Sequence, residues 1–463
     1  MNRRSDGWTP PHPPECLAST FFVAELHVVR YDGVDQLRRL APVLDRLNRE
    51  STDWSPFHTA DFLLAYAVNS EFFPGGIMPC TYIVYLGTGD VDPIGVVVLR
   101  RERVKAAGPF SFVRIDFLAT HDTDEWSVTA RAGHDAVVTG AIIDHLLEED
   151  DWSLLEFRGQ HPGSLLRAGL HRRANLMLRA RDISLIPYER VNLSFDGMGA
   201  YFSALSKRMR SNVSRQTRHL FSVGKVEIVL AAGPKACGAL FEAFLDLEDR
   251  SWKAGTEVGL RRHSARRDFY DAVATGRAGL SPSFVGISLD GLLVAGILNA
   301  SGGGHAWSLE MAFDERYAEL GPGQLLLLVS AGEAIGRGDK TLRFFQHHDY
   351  FKKRWLSESV PAANVQLIRT LSSVGVRAFA GDVVRKLKVR RTDDGDQADD
   401  RGTPTFNELK RTNAIRSQPA SDRLSSERFA SALSCLDGDV RRIGPDRVEA
   451  FLPFPVLTGR ATD

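Results

Sequence analysis

Residues 312–324 read Ala312-Phe-Asp-Glu-Arg-Tyr317-Ala-Glu-Leu-Gly321-Pro322-Gly323-Gln324, and after a leucine-rich run the chain continues Leu342-Arg-Phe-Phe-Gln-His347-His348-Asp-Tyr350-Phe351-Lys352-Lys353-Arg354-Trp355. The apolar pattern of His305 to Phe313 predicts a strand that enters this turn, a helix from Gln324 to Gly336, and a second strand from Leu342 to His347. Pro322 suits a first helical turn, where its missing N–H is not needed. A glycine-flanked turn that opens a helix aims unpaired N–H groups at one point, at the positive end of the helix dipole, and suits a pyrophosphate. The donors expected here, from Gly323, Gln324 and Leu325, need no particular side chain.

Working outward, the same order of elements is expected twice. In the first half, strand patterns at Val23 to Val29, Thr81 to Leu86, Ile94 to Arg103 and Phe110 to Leu118 precede a helical segment from Ser127 to Leu147. A strand, Ser153 to Arg158, and a helix, Leu165 to Arg173, follow. In the second half, Val226 to Leu230 and helices at Lys235 to Lys253 and Ala265 to Thr275 precede strands at Ser283 to Leu289, Leu292 to Ala300 and His305 to Phe313. Asp290-Gly291 and Gly302-Gly303-Gly304 read as the hairpin turns, because glycine reaches positive φ without steric penalty. The fold class expected is α/β in the α+β sense: two tandem domains, each a mixed, mostly antiparallel sheet flanked by helices. The expected division is a disordered N-terminus over 1–20, a first domain over 21–195, a second over 196–388 and a mostly flexible tail over 389–463. In that tail Phe429 to Leu436 and Val448 to Leu457 are apolar enough to dock.

Lys+Arg and Asp+Glu balance at 58 each, which argues against a general polyanion binder, so no nucleic-acid partner is expected. Cys16, Cys80, Cys237 and Cys435 lie far apart with no CxxC pair; neither a zinc site nor a disulfide framework is suggested, and a reducing cytoplasm fits. The first twenty residues lack the apolar core of a signal peptide, and the longest apolar runs fall short of the ~20 residues of a membrane span. A cytoplasmic protein without a metal or a membrane span is the expectation.

Residues 205–355 resemble the CelD-type acetyltransferase domain, a branch of the GNAT superfamily. The pieces that carry the resemblance are Leu205-Ser-Lys-Arg-Met-Arg210, Glu248-Asp-Arg-Ser-Trp252-Lys253, Leu289-Asp-Gly-Leu-Leu-Val-Ala295, Phe313-Asp-Glu-Arg-Tyr317, Gly321-Pro-Gly323 and Lys352-Lys-Arg-Trp355. The span 22–388 is similar to the tandem arrangement of this superfamily, itself related to the Fem aminoacyltransferases. In the superfamily the strands on either side of the helix splay apart and hold an acyl-pantetheine. The resemblance therefore implies acetyl-CoA or another acyl-CoA as co-substrate, facing Gly321, Gly323, Gln324 and Leu325, with Ala312 on the preceding strand. It implies an N-acyltransferase with one coenzyme site per chain, in the second domain, and an acceptor cleft walled by the first. The acceptor implied is a small-molecule or saccharide amine, since CelD-type relatives are associated with cellulose or exopolysaccharide production.

Acyl transfer to an amine needs a base for the ammonium proton, a donor for the thioester oxygen and an acid for the leaving thiolate. Glu310, on the first splayed strand, is the candidate base; its alternative is a strand residue facing solvent. Tyr350 is the candidate acid. Trp252 and Lys253 match a Trp-Lys pair of the family and are expected to line the acceptor pocket, although an indole anchoring its helix explains Trp252 as well. His347 and Lys352 complete the expected substrate contacts, and only one of His347 and His348 can point at a ligand, since neighbours on a strand face opposite ways. Lys207, Arg208, Arg210, Arg215 and Arg218 form a basic helical segment that meets phosphates or solvent. Ala318 stands where the superfamily fingerprint has Arg or Gln, Phe351 where the family has tyrosine, and His347-His348 where relatives have Gly-Asp. These departures make a non-catalytic accessory protein of polysaccharide synthesis one alternative. A Fem-like transferase fed by aminoacyl-tRNA is another, against which the neutral charge and the lack of a long coiled-coil insertion stand.

Overall fold

Thr81-Tyr-Ile-Val-Tyr85 and Ile94-Gly-Val-Val-Val-Leu99 are unbroken β-favouring runs, and both are buried throughout, as strands covered on two faces must be. They form the centre of one of two eight-stranded sheets in the computed structural model. The structure describes residues 25–69, 77–87, 89–105, 111–118, 123, 126–184, 187–256, 259–344, 352–372, 374–375 and 447–451. In chain order the first half contains β1 (Leu26–Asp32), α1 (Val34–Arg39), α2 (Ala41–Glu50), α3 (Ala60–Val68), β2 (Ile77–Leu86), β3 (Pro93–Lys105), β4 (Ser111–Phe117) and β5 (Thr129–Ala130). It continues with α4 (Asp135–Glu148), β6 (Leu154–Gln160), α5 (Leu165–Arg172), β7 (Leu178–Ser184) and β8 (Tyr188–Asn192). The second contains α6 (Met198–Ala204), α7 (Lys207–Ser222), β9 (Val226–Ala232), α8 (Pro234–Glu248), α9 (Ser264–Ala274), β10 (Ser281–Leu289), β11 (Leu292–Gly302), β12 (His305–Phe313), α10 (Pro322–Arg337) and β13 (Thr341–Phe344). Three strands, β14 (Ser357–Val360), β15 (Ala363–Arg369) and β16 (Arg447–Phe451), complete the set.

The two sheets are mixed and mostly antiparallel, flanked by helices. One runs β1-β2-β3-β4-β6-β15-β7, with β5 on β3, and the other β14-β8-β13-β12-β11-β10-β9-β16. Each has one parallel pair, β4 with β6 and β12 with β13, and in each a helix, α4 or α10, lies between the paired strands in sequence. The predicted duplication of meander, helix and strand is therefore present. Both expected hairpin turns form, with φ of 52° and 84° at Asp290 and Gly291 and 57° and 79° at Gly303 and Gly304. The helix expected from Ser127 starts at Asp135 instead. Thr129 and Ala130 pair with β3, and Gly133, at φ 83°, turns the chain between strand and helix.

Two strands cross between the halves. β8 lies in the second sheet between β14 and β13, and β15 returns to the first sheet between β6 and β7. The core crosses too: Phe57 and Phe62 from the first half pack edge-on against Trp307 and Phe269, with ring centroids 5.2 and 5.6 Å apart. At roughly 1.5–3 kcal/mol for each large apolar side chain buried, this shared cluster fastens the two sheets to one another. Within the segment expected as a tail, β16 pairs with β9. Residues 1–20, 389–446 and 452–463 lie outside the described residues. Among the described residues no helix is long and apolar enough to cross a membrane.

Candidate functional site

Strand β12 is irregular at one point. Glu310 is the register partner of Leu298 and Ser308 that of Asn299, so Leu309 is an extra residue, a β-bulge. Side chains alternate faces along a regular strand, which would put Trp307 and Glu310, three apart, on opposite faces. The bulge resets the alternation. Trp307 and Glu310 now oppose Ala300 and Leu298, which share a face, so both point to the side packed by α8 and α9. Parallel pairing with β13 covers 305–308 against 341–344, and β12 runs five residues further to Phe313.

Glu310 is buried, not turned to solvent. One carboxylate oxygen is bonded to the Lys253 ammonium and the other to the Arg266 guanidinium. Lys253 lies in the turn after α8, with its Nζ 3.3 Å from Glu248 Oε1, while Glu248 Oε2 accepts from the Leu260 N–H at 2.6 Å. Burial pushes the Glu248 carboxyl above the ordinary glutamate range, against the pull of Lys253. Glu310 and Lys253, 57 residues apart, thus meet inside one buried ionic network, whereas Trp252 is 56% exposed and is not a buried anchor of its helix.

The segment after β12 is fixed by Asp314. This residue is fully buried, bonds the Arg316 N–H at 3.0 Å, and pairs with Arg316 Nη2 at 2.6 Å and Arg250 Nε at 3.0 Å. The bond from Arg316 holds its carboxyl below the usual aspartate range. Arg250 also bonds Leu293 O. Three of the sequence pieces quoted above, 248–253, 289–295 and 313–317, are tied together by this single arginine.

α10 opens at Pro322, two residues before the expected Gln324, behind Gly321 in the left-handed region at φ 64°. The Gln324 N–H closes a tight turn on Gly321 O at 3.0 Å, and among the described residues the Gly323 N–H has no partner. Leu325 is buried. Side-chain amides from α7 stand over this corner: Asn212 donates to Gln324 Oε1 at 3.0 Å, and the Gln216 carboxamide lies against Gly321. Arg215 donates to Asn212 Oδ1 at 3.1 Å. Of the basic α7 segment, Arg215 therefore leans toward the turn, while Arg210 and Arg218 bond backbone carbonyls on their own side. The corner offers an open N–H, exchangeable amides and one cation, a donor set that fits a diphosphate. Ala312 is buried on the Glu310 face of β12. Tyr350, Phe351, His347 and His348 lie outside the described residues, as do the side chains of Lys352 and Lys353.

A cavity of about 890 Å³ opens between the sheets at the other end of β12. Its walls come from both halves: the 51–58 loop, Trp126, Gln160 and Ser164 on one side, and Tyr188, Arg190, His305, Trp307 and Arg343 on the other. Trp54 packs on the hairpin glycines, so a Cβ at Gly303 would come within 2.5 Å of the indole. Trp307, Arg190 and Arg343 stand in none of the sequence pieces quoted above for the resemblance; they and His58 are brought together by long-range pairing, which no local spacing announces. Among the described residues no group of three or more His, Cys, Asp or Glu is placed to hold a metal.

Comparison with known proteins bears on the second half first. Residues 207–353 match the family described as acetyltransferase (GNAT) domain. Among solved structures the chain is similar to FemX, at 12% identity over 71% of this chain and 95% of that one, with a TM-score of 0.49. It is similar to a tandem GNAT protein from the clavulanic acid biosynthesis pathway, at 13% identity over 75% and 100%, TM-score 0.43. It is also similar to L-PGS from Bacillus licheniformis, at 11% identity over 73% and 94%, TM-score 0.45. No curated protein sequence matches the chain.

Proposed function

We propose that this chain is an acyl-CoA-dependent N-acyltransferase, with acetyl-CoA as donor and a small-molecule or saccharide amine as acceptor, working in the cytoplasm. The observation that carries the reading is the bulged strand β12 leading straight into the turn of α10, where the Gly323 N–H is open. In this reading Gly321, Gly323, Gln324 and Leu325 hold the diphosphate, helped by Arg215, and Ala312 lines the pantetheine. The second domain, 196–388, holds the one coenzyme, and the first, 21–195, walls the acceptor cleft. Trp252, His347 and Lys352 are assigned to the acceptor.

The acceptor nitrogen bonds to the thioester carbonyl carbon, the C–S bond breaks, the ammonium proton leaves and the thiolate takes a proton. Both oxygens of Glu310 are engaged by cations. We therefore assign the deprotonation to Glu310, Lys253 and Glu248 as a unit, and the thiolate proton to Tyr350.

Calorimetry with acetyl-CoA and longer acyl-CoAs tests the coenzyme. One site per chain is expected, and the absence of heat and of any thermal shift with all of them overturns the reading. A second reading, a non-catalytic accessory of polysaccharide synthesis, draws on Ala318 and on the doubly paired Glu310. It gains if acyl-CoA binds and no thiol is released with a broad panel of amines. A Fem-like aminoacyl-tRNA donor would be revealed by filter binding of charged tRNA.

A further inference from the structure

The cavity between the sheets carries an ordered row of charge. Register partners across β14, β8, β13, β12 and β11 are, in turn, Glu358, Arg190, Arg343, Trp307 and Ala300. Partners in register share a face, and Arg190, Arg343 and Trp307 all line the cavity. Two arginines are thus set directly opposite one another on neighbouring strands. Two guanidinium forks so placed can grip one oxyanion through charge-assisted hydrogen bonds, in addition to the partners that each arginine already has. The single carboxylate of the row, Glu358, is at its exposed outer end, 3.8 Å from Arg190 Nε.

Beside the pair, the Arg343 guanidinium lies over the Trp307 ring, 5.7 Å from its centroid. Trp307 is 2% exposed and, among the described residues, its Nε1 has no hydrogen-bond partner; across the cavity the buried His58 Nε2 likewise has none among them. Buried polar atoms are ordinarily satisfied, so two orphans on the walls of one cavity point to a polar ligand between them. The volume, about 890 Å³, suits a ring-bearing molecule rather than a lone ion.

We propose that this cavity takes the anionic end of the acceptor, a phosphate or a carboxylate held between Arg190 and Arg343, with its ring against Trp307 and Trp126. The proposal rests on the transferase reading for the word acceptor, and on the cavity alone for the anion. Trp307, on the cavity wall, and Glu310, in the ionic network, share a face of β12.

The test is calorimetry on the full chain without any acyl-CoA, with glucosamine 6-phosphate, glucosaminuronic acid and glucosamine as probes. At least one of the two anionic sugars is expected to bind ten-fold or more tightly than glucosamine, and which one does so identifies the oxyanion. Arg343→Gln and Arg190→Gln are each expected to lower that affinity ten-fold or more while acetyl-CoA affinity stays unchanged, which also shows that the variants are folded. Equal affinity for all three sugars, or affinity indifferent to both variants, overturns the proposal. So does loss of acetyl-CoA binding in folded variants, because the arginines would then belong to the coenzyme. Anion binding without acetyl-CoA binding instead sinks the transferase reading and leaves the anion site standing.

Discussion

Glu310 and Lys253 lie at the centre of the energetics as well as of the proposed chemistry. Removing one partner from a buried ion pair leaves an uncompensated charge, which costs about 3–5 kcal/mol. Glu310→Gln is therefore expected to lower the thermal midpoint and the urea midpoint strongly and to abolish turnover, while Trp252→Ala, at an exposed position, leaves stability within about 0.5 kcal/mol. Urea titrations of both variants check this. His58 sets a pH dependence. Burial holds its imidazole at about 4, against an ordinary 6.5, so below pH 6.5 the unfolded chain takes up a proton that the folded one refuses. The stability from this residue is complete above 6.5 and is lost as the pH falls toward 4. A displacement of this size corresponds to roughly 3 kcal/mol. In His58→Gln the urea midpoint should fall less between pH 7 and pH 4.5 than in the parent chain; an identical fall in both contradicts the assignment. At this scale the sequence singled out Glu310, Lys253 and Trp252 as separate candidates. That the first two share an ionic network, and that Arg266 and Glu248 join it, depends on contacts 5 to 57 residues apart.

Among elements, β12 and α10 were the most legible. The strand has the bounds that its apolar pattern predicts, and the helix begins at the proline between two glycines. Local chemistry explains why. Alternation marks the strand, and only glycine occupies φ 64° at Gly321 without strain. Gly321→Ala adds the left-handed penalty of about 1–2 kcal/mol and sets a Cβ 2.4 Å from Gln216 Cδ. It is expected to lower the thermal midpoint and weaken acetyl-CoA binding. Gly323→Ala, where a Cβ meets Phe313 at 3.5 Å, is expected to melt as the parent does. Melting both variants by circular dichroism separates the two positions, and equal losses contradict the geometry. The Leu309 bulge was not legible, because a bulge is defined by the register of a partner strand and leaves no fixed mark in its own residues.

The whole molecule is held by exchange. β15 supplies an interior strand of the first sheet, and β16 lies at the edge of the second. Ending the chain after Pro361 is expected to destroy cooperative unfolding, since β6 and β7 both lose their partner, whereas ending it after Val440 shifts the thermal midpoint by a few degrees. Melts of the two truncations decide between an interior and a dispensable segment in each case. Hydrophobic periodicity, hairpin glycines and the Gly-Pro-Gly turn by themselves determined the class of fold, the doubled order of elements and the position of the candidate diphosphate corner, because each is encoded within a few consecutive residues. Tertiary structure alone decided that β8 and β15 change sheets, that Glu310 is clamped between two cations, and that Arg190 stands beside Arg343 on one wall of a cavity. Strand partners and buried ion pairs join residues distant in the chain, and their selection is made by the packing of the whole core, not by local propensity.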